Sequence, residues 1–544
     1  MFRENERRSN FKKGIDNSDG RRRRQETTRQ IRKAKKDENL LKRRMAAPAI
    51  TPNGSMDDSA SSSGQMTAYT VADIPQLEQT LKNPQSTLEQ MEDAVRGFRR
   101  ILSVERNPPV HAVLEAGVLP ILIQCLTKDP QASTLIFEAA WALTNIASTQ
   151  ETATVVEGGA VPPLIQLLCH AVPDVREQAA WCLGNIAGDN TVFRNTLLHH
   201  GVLEPLLKNI AQPGSMSLLA NVTWAVSNLC RGKPAPAFEL VAPAIPFLAD
   251  LLKKDVTDEA KVDATWALSY LSDGPNERIE AIMSTGVVHT FMGFLQEKSS
   301  PLLTPTLRCL GNFVTGSDEQ TQAVLDAGIL DHIGELLESG RKAIRKETCW
   351  LVSNITAGTQ PQIAMFIRNQ NRVNSLISNA SNSAWEVRKE AVWALSNICT
   401  VGSDVQVMGL VQSEGVRPLA EILAFMNADT SVLVAALDGI EQVLAIGARH
   451  DKEYGTLLDE YNAIDYIEEL QQHPSNAVYE KTLKILETYF GADEQEDENL
   501  APAMTDSGTF GFGLSSPKQL FPTGHAGHAQ QAAPLTFSFP NTAH

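Results

Sequence analysis

WALTN at Trp141–Asn145, WCLGN at Trp181–Asn185 and WAVSN at Trp224–Asn228 are three copies of one short word. It returns as WLVSN at Trp350–Asn354 and WALSN at Trp393–Asn397, with altered copies WALSY at Trp266–Tyr270 and RCLGN at Arg308–Asn312 between them. From Trp141 to Trp393 the steps are 40, 43, 42, 42, 42 and 43 residues. So regular a period predicts a solenoid rather than a globular enzyme fold. The two marked residues lie four apart, so on a helix they share a face. Stacked repeats would line up a row of indoles beside a row of carboxamides.

Working outward, each unit carries a turn signal and a short apolar run ahead of the word. Examples are EAGVLPILIQCL (Glu115–Leu126), EGGAVPPLIQLL (Glu157–Leu168), HHGVLEPLLKNI (His199–Ile210) and DAGILDHIGELL (Asp326–Leu337). Gly breaks the chain, and Pro162 and Pro205 suit the first turn of a following helix. Two or three helices in about 42 residues is the armadillo/HEAT pattern. The expected fold is therefore all-α, an armadillo-repeat right-handed superhelical solenoid with disordered termini. Ten units fit between residues 71 and 490. The first replaces the word with Arg96 and Arg100, a later one carries Asp438 and Gln442, and the last has neither, as capping units should.

The flanks differ in composition. Residues 1–44 hold 17 Lys/Arg against 7 Asp/Glu, a net of +10, so the other 500 residues sum to −26 in a chain of −16. A cationic arm on an anionic body meets either an external acid or its own body. The domains expected are a basic arm (1–55), a flexible linker (56–70), the repeats (71–490) and an acidic run with a disordered Gly/Phe-containing tail (491–544). No run of 18 apolar residues predicts a membrane span, and no apolar segment near the N-terminus reads as a secretory signal. The seven cysteines form no C-x-x-C pair and read as buried reduced thiols, with no metal site or cofactor expected.

A single Trp is ordinarily a core residue and a single Asn a helix cap. Five Asn in one register are harder to place in a core, because a buried, unpaired amide is costly. An Asn amide offers one donor and one acceptor direction, which suits an extended peptide backbone at alternate residues. Indole faces then form slots for aliphatic stems, and a Lys ammonium beyond them gains cation–π attraction and a carboxylate partner. Acids flank the words: Glu177 and Asp189, Asp263 and Asp273, Asp318, Glu347 and Glu390. This favours Lys/Arg-rich peptides. Lys42, Arg43 and Arg44, on a flexible tether, would reach the same surface at an effective concentration on the order of millimolar and compete with an incoming ligand.

These residues resemble the importin-α family, the nuclear-import adaptors, over essentially the whole chain. The resemblance rests on RRRRQETTRQIRKAKKDENLLKRR (Arg21–Arg44), ten armadillo units and a W-x-x-x-N ladder interrupted by Tyr270 and Arg308. The arm's FKKGIDNSDG (Phe11–Gly20) is similar to plant or algal members. The resemblance implies that Arg21, Arg22, Arg23, Arg24, Arg32 and Lys33 belong to an importin-β-binding segment, with Lys42, Arg43 and Arg44 its autoinhibitory end. It implies a major signal-binding site at Trp141, Asn145, Glu177, Gln178, Trp181, Asn185, Asp189, Trp224 and Asn228, extended by Asp263, Trp266 and Tyr270. It implies a minor site at Arg308, Asn312, Asp318, Glu347, Trp350, Asn354, Glu390, Trp393 and Asn397. Asp189 stands where the family places the carboxylate for the most discriminating lysine. Cargo with Lys/Arg-rich nuclear localisation signals, importin-β and an export receptor near Asp493–Glu498 are the implied partners, with shuttling between cytoplasm and nucleus. Departures are IASTQET after Asn145, which puts Thr149 and Thr152 in question, Asn195, and Gln442.

Other classes fit less well. A scaffold on the same repeats would favour a basic groove, against the acidic body here. A nucleic-acid binder using the arm would show steep salt dependence. No G-x-x-x-x-G-K, H-E-x-x-H or G-x-S-x-G occurs to support an enzyme.

Overall fold

The computed structural model describes residues 69–103, 108–297 and 301–490, with the backbone of two short segments at 503–504 and 510–511. The readings of the arm, of the linker up to residue 68 and of most of the tail lie outside these residues.

One unit shows how the sequence dictates the repeat. Thr152–Glu157 is a short helix, and Gly159 then reverses the chain at φ +86° with nothing near its missing side chain. Backbone sign, not space, is what requires glycine there. The next helix, Val161–Leu167, starts on Pro162, whose missing N–H costs nothing in a first turn. The long helix Pro173–Asp189 follows and carries WCLGN. Gly117, Gly201, Gly286 and Gly328 repeat the positive φ in other units.

Ten long helices recur in this way among the described residues: Leu88–Ile101, Ser133–Ala147, Pro173–Asp189, Met216–Cys230, Asp258–Leu271, Leu303–Phe313, Lys342–Thr356, Trp385–Val401, Thr430–Arg449 and Asn476–Tyr489. Each packs on the one before and the one after, so they form a continuous row, the inner row. Apolar residues beneath it make one uninterrupted core from Ile74 to Ile485. Each fully buried Leu, Ile or Val contributes roughly 1.5–3 kcal/mol. No unit could bury that face alone, which is why the units stack. The expected all-α armadillo solenoid is what forms.

Stacking is also stitched by carboxamides. Gln320, Gln362 and Gln406 sit in capping boxes with Ser317, Thr359 and Ser403. The oxygen of each accepts its own N-cap N–H, while its nitrogen donates to the preceding unit, at Asn276 O (3.2 Å), Asp318 O (2.9 Å) and Gln360 O (2.8 Å). Asn209 and Asn379 act alike between the shorter helices, donating to Leu168 O and Leu337 O at 2.8 Å.

Within the tail, Ala503–Met504 pairs antiparallel with Phe510–Gly511. One helix, Thr430–Arg449, is long and apolar enough to cross a membrane by length and composition. Its apolar residues lie in the core between Trp385–Val401 and Asn476–Tyr489, while Asp438 and Glu441 hold Lys481 at 2.6 and 3.1 Å. One expectation needs correction: six cysteines are buried but Cys169 is exposed. Burial pushes the Cys125 thiol up to about 11 and those of Cys230 and Cys399 to about 12, and raises Cys309 and Cys349 as well. Thiolate is the reactive form. Brief alkylation of the native chain at neutral pH should therefore modify Cys169 first, as read by peptide mass spectrometry. Labelling spread evenly over the seven would contradict this placement.

Candidate peptide-binding ladder

The inner row brings together nearly every residue of both candidate sites. Trp141 and Asn145 lie on Ser133–Ala147, and Glu177, Gln178, Trp181, Asn185 and Asp189 on Pro173–Asp189. Trp224 and Asn228 follow on Met216–Cys230, then Asp263, Trp266 and Tyr270 on Asp258–Leu271. Arg308 and Asn312 occupy Leu303–Phe313, Glu347, Trp350 and Asn354 occupy Lys342–Thr356, and Glu390, Trp393 and Asn397 occupy Trp385–Val401. Asp318 is the exception. It opens the short helix Asp318–Asp326, where its carbonyl serves the glutamine stitch.

Both rows are more enclosed than an open surface ladder requires. Asn145, Asn185, Asn228, Asn312, Asn354 and Asn397 are only 1–6% exposed. Trp141, Trp181 and Trp350 are buried at 4–6% exposure, while Trp224, Trp266 and Trp393 are half-buried. The cause is the small residue just ahead of each Asn (Thr144, Gly184, Ser227, Gly311, Ser353 and Ser396), matched by Ser269 ahead of Tyr270. Neighbouring helices can approach closely there. A Cβ on Gly184 would lie 2.2 Å from Cζ3 of Trp224, and one on Gly311 the same distance from Cζ3 of Trp350. The indoles of Trp224 and Trp350 thus lie against the backbone of the helix before them.

The same approach engages the amide nitrogens. Asn185 Nδ2 donates to Thr144 O (3.2 Å), Asn228 to Gly184 O (3.0 Å) and Asn312 to Ser269 O (2.8 Å). Asn354 reaches Gly311 O (3.3 Å) and Asn397 reaches Ser353 O (2.8 Å). A structural role, holding unit to unit, therefore belongs to the Asn row. The oxygens of Asn145, Asn185 and Asn354, Oε1 of Gln178 and the indole nitrogens of Trp350 and Trp393 receive or make no hydrogen bond. Buried polar groups are nearly always paired. A row with its donors engaged and several acceptors and indole N–H groups unengaged has half of an amide pattern still to satisfy.

The carboxylates of the row differ in burial and in the groups they meet. Glu177 accepts from Ser217 Oγ (2.7 Å) and Asn221 Nδ2 (2.9 Å). Glu347 takes both arms of the Arg308 guanidinium, Nε at 2.7 Å. Burial alone would lower the Arg308 pKa, but the adjacent Glu347 charge and its hydrogen bonds raise it instead. Asp263 and Glu390 are buried, and Asp273 meets Lys233 at 3.8 Å. Asp189 is half-buried at the end of its helix and accepts from Asn190 Nδ2 (2.9 Å). Thr149 and Thr152 donate to Ile146 O and Ala147 O, closing their own helix end. Asn195 serves as neutral acceptor for the fully buried Arg194 at 2.9–3.0 Å, and Gln442 is exposed.

Comparison with known proteins now places the chain. It is 39% identical over 524 residues to importin subunit alpha-1a of Oryza sativa subsp. japonica, covering 93% of this chain and 96% of that one. The chain belongs to the importin-α family. Importin subunit alpha-3 of Arabidopsis thaliana is 40% identical over 512 residues, covering 91% of this importin-α and 94% of its relative. Residues 7–96 match the family described as importin beta binding domain. Residues 106–148, 149–188 and 317–357 match the armadillo/beta-catenin-like repeat, and 452–503 an atypical Arm repeat. Among solved structures, the crystal structure of an engineered protein superposes with a TM-score of 0.68 at 25% identity, covering 76% of this importin-α and 98% of that chain.

Sequence reasoning missed two residues at the start of the row. Arg99 stands where the seven units with the word have Thr, Gly or Ser, and Glu138 lies three residues before Trp141. The signal was available: a large cationic residue at the head of a run of seven small ones.

Proposed function

We propose that this importin-α is a nuclear-import adaptor. Its inner row binds Lys/Arg-rich nuclear localisation signals in extended form, and its N-terminal segment docks to importin-β. The observation that carries the reading is the set of unengaged polar atoms on Asn145, Gln178, Asn185, Asn354, Trp350 and Trp393, repeated along one row. A peptide backbone presents alternating N–H and C=O groups that such a row can pair, once indole edges move aside to admit it. Asp189 and its flanking acids would take the cationic side chains, whose stems run between indoles. The matched relatives, importin alpha subunits, and the matched importin beta binding domain support the same assignment. Cargo and importin-β are then the partners, the export receptor docks near Asp493–Glu498, and the adaptor shuttles between cytoplasm and nucleus. No chemistry at a cofactor is involved.

In this reading Lys42, Arg43 and Arg44 occupy the row when importin-β is absent. Changing the three to Ala in the full chain should tighten binding of a fluorescein-labelled Lys/Arg-rich peptide about tenfold, because an internal competitor at roughly millimolar effective concentration is gone. Fluorescence anisotropy gives the answer. Unchanged affinity removes the autoinhibition, and absence of peptide binding in either protein removes the adaptor reading.

A further inference from the structure

The start of the row carries an arrangement whose nearest counterpart among the described residues is Arg308, which pairs with Glu347 and lies 5.4 Å from the centre of the Trp350 ring. Arg99 is nearly buried, and its guanidinium carbon lies 4.2 Å from the centre of the Trp141 ring. Glu138 Oε2 accepts from Arg99 Nε at 2.7 Å, and its Oε1 accepts from Arg99 Nη2 at 3.2 Å and Arg96 Nε at 3.1 Å. Cation, ring face and carboxylate are the three parts that the proposed function needs for a bound lysine or arginine. Here the chain supplies all three.

Register shows that this is not a general feature. Asn145 Nδ2 faces Arg99 O at 3.4 Å, as Asn354 faces Gly311 O and Asn312 faces Ser269 O. Arg99 therefore holds the small-residue place of its unit, and Arg96 holds the place of the indole. Arg308 holds that same indole place ahead of the second group of words, paired to Glu347 three residues before Trp350. Glu138 lies three residues before Trp141. Side-chain exposure matches as well: 30% and 7% for Arg96 and Glu138, 26% and 7% for Arg308 and Glu347. Each stretch of indoles thus opens on one Arg–Glu pair; in the second Arg308 itself lies over Trp350 at 5.4 Å, whereas in the first a further arginine, Arg99, takes the place over the outermost ring at 4.2 Å.

We propose that Arg99 fills, from within the chain, the cation slot between Trp141 and Glu138, and so determines where a bound Lys/Arg-rich peptide must end. It is a specificity-determining residue, and the proposal rests on the adaptor reading above. A peptide register that would put one more cation beyond Trp141 finds the slot taken and meets Arg96 and Arg99 as like charges. Removing the Arg99 side chain returns the position to the small type used by the seven units that carry the word and leaves Glu138 partly balanced by Arg96. The vacated ring face and carboxylate would then accept a ligand's cation.

The test uses the full chain, as wild type, Arg99→Ser and Arg99→Lys, with a glycine-flanked tetralysine peptide. In two further peptides the glycine next to the lysines is changed to lysine at one end or the other. Anisotropy titrations should show that in wild type lysine at one end adds less than about twofold. In Arg99→Ser that same end should gain about tenfold, as a cation on a freed ring and carboxylate does, while the other end responds as in wild type. Arg99→Lys, which keeps a cation in the slot, should follow wild type. A similar gain at both ends in wild type, or no end-specific gain in Arg99→Ser, overturns the proposal. The wild-type series alone decides if Arg99→Ser fails to give a native circular dichroism spectrum. Should the tetralysine peptide itself not bind wild type, the adaptor reading falls first and this proposal with it.

Discussion

Asp189→Lys weakens binding of a Lys/Arg-rich peptide by about 3 kcal/mol, more than a hundredfold, when measured by calorimetry on the full chain. The size follows from the position. Asp189 ends the helix that carries Trp181 and Asn185 and is half-buried rather than fully solvated. A lysine there both removes the carboxylate and opposes an incoming ammonium with a like charge. Surface pairs are worth a fraction of this, so a loss near 0.5 kcal/mol would mean that Asp189 is a solvated rim charge. Asp189→Asn separates the two contributions, since it removes the charge without reversing it. Its loss should be about half as large.

The second large effect concerns stability rather than binding. Glu138→Ala should cost about 3–5 kcal/mol, because it leaves the buried Arg99 guanidinium without its carboxylate. The two side chains are 6% and 7% exposed, so water cannot take over the lost partner. In a solenoid the damage stays near its origin. Hydrogen exchange should quicken in Leu88–Ile101 and Ser133–Ala147, while Trp385–Val401 keeps its protection. Unchanged exchange in the first two helices would contradict the account. Combining Glu138→Ala with Arg99→Ser should recover much of the loss, since neither charge is then buried alone.

Periodicity made the architecture readable. A word recurring every 40–43 residues located seven inner helices, and the Gly–Pro punctuation placed the shorter ones before them. The site was readable to the level of which residues share a row, because residues four apart on a helix must face together. How deeply the row is set was not. Asn looked like a surface residue because an interior amide needs a partner, and that partner is a carbonyl on the neighbouring unit, such as Gly184 O for Asn228. A single sequence shows period but not the distance between units. That distance is set by the small residue before each Asn, a column that the Trp and Asn spacing does not draw attention to. Arg99 escaped notice for the same reason, since its significance appears only against that column.

The glutamines at 320, 362 and 406 have a mechanical corollary. One side chain closes the end of its own helix and also grips the unit before it, so neither bond can be lost without loosening the other. Such a rod resists being pulled apart in its middle, where every segment is fastened on two sides. It comes undone from the tips inward, like knitting unravelled from a loose thread.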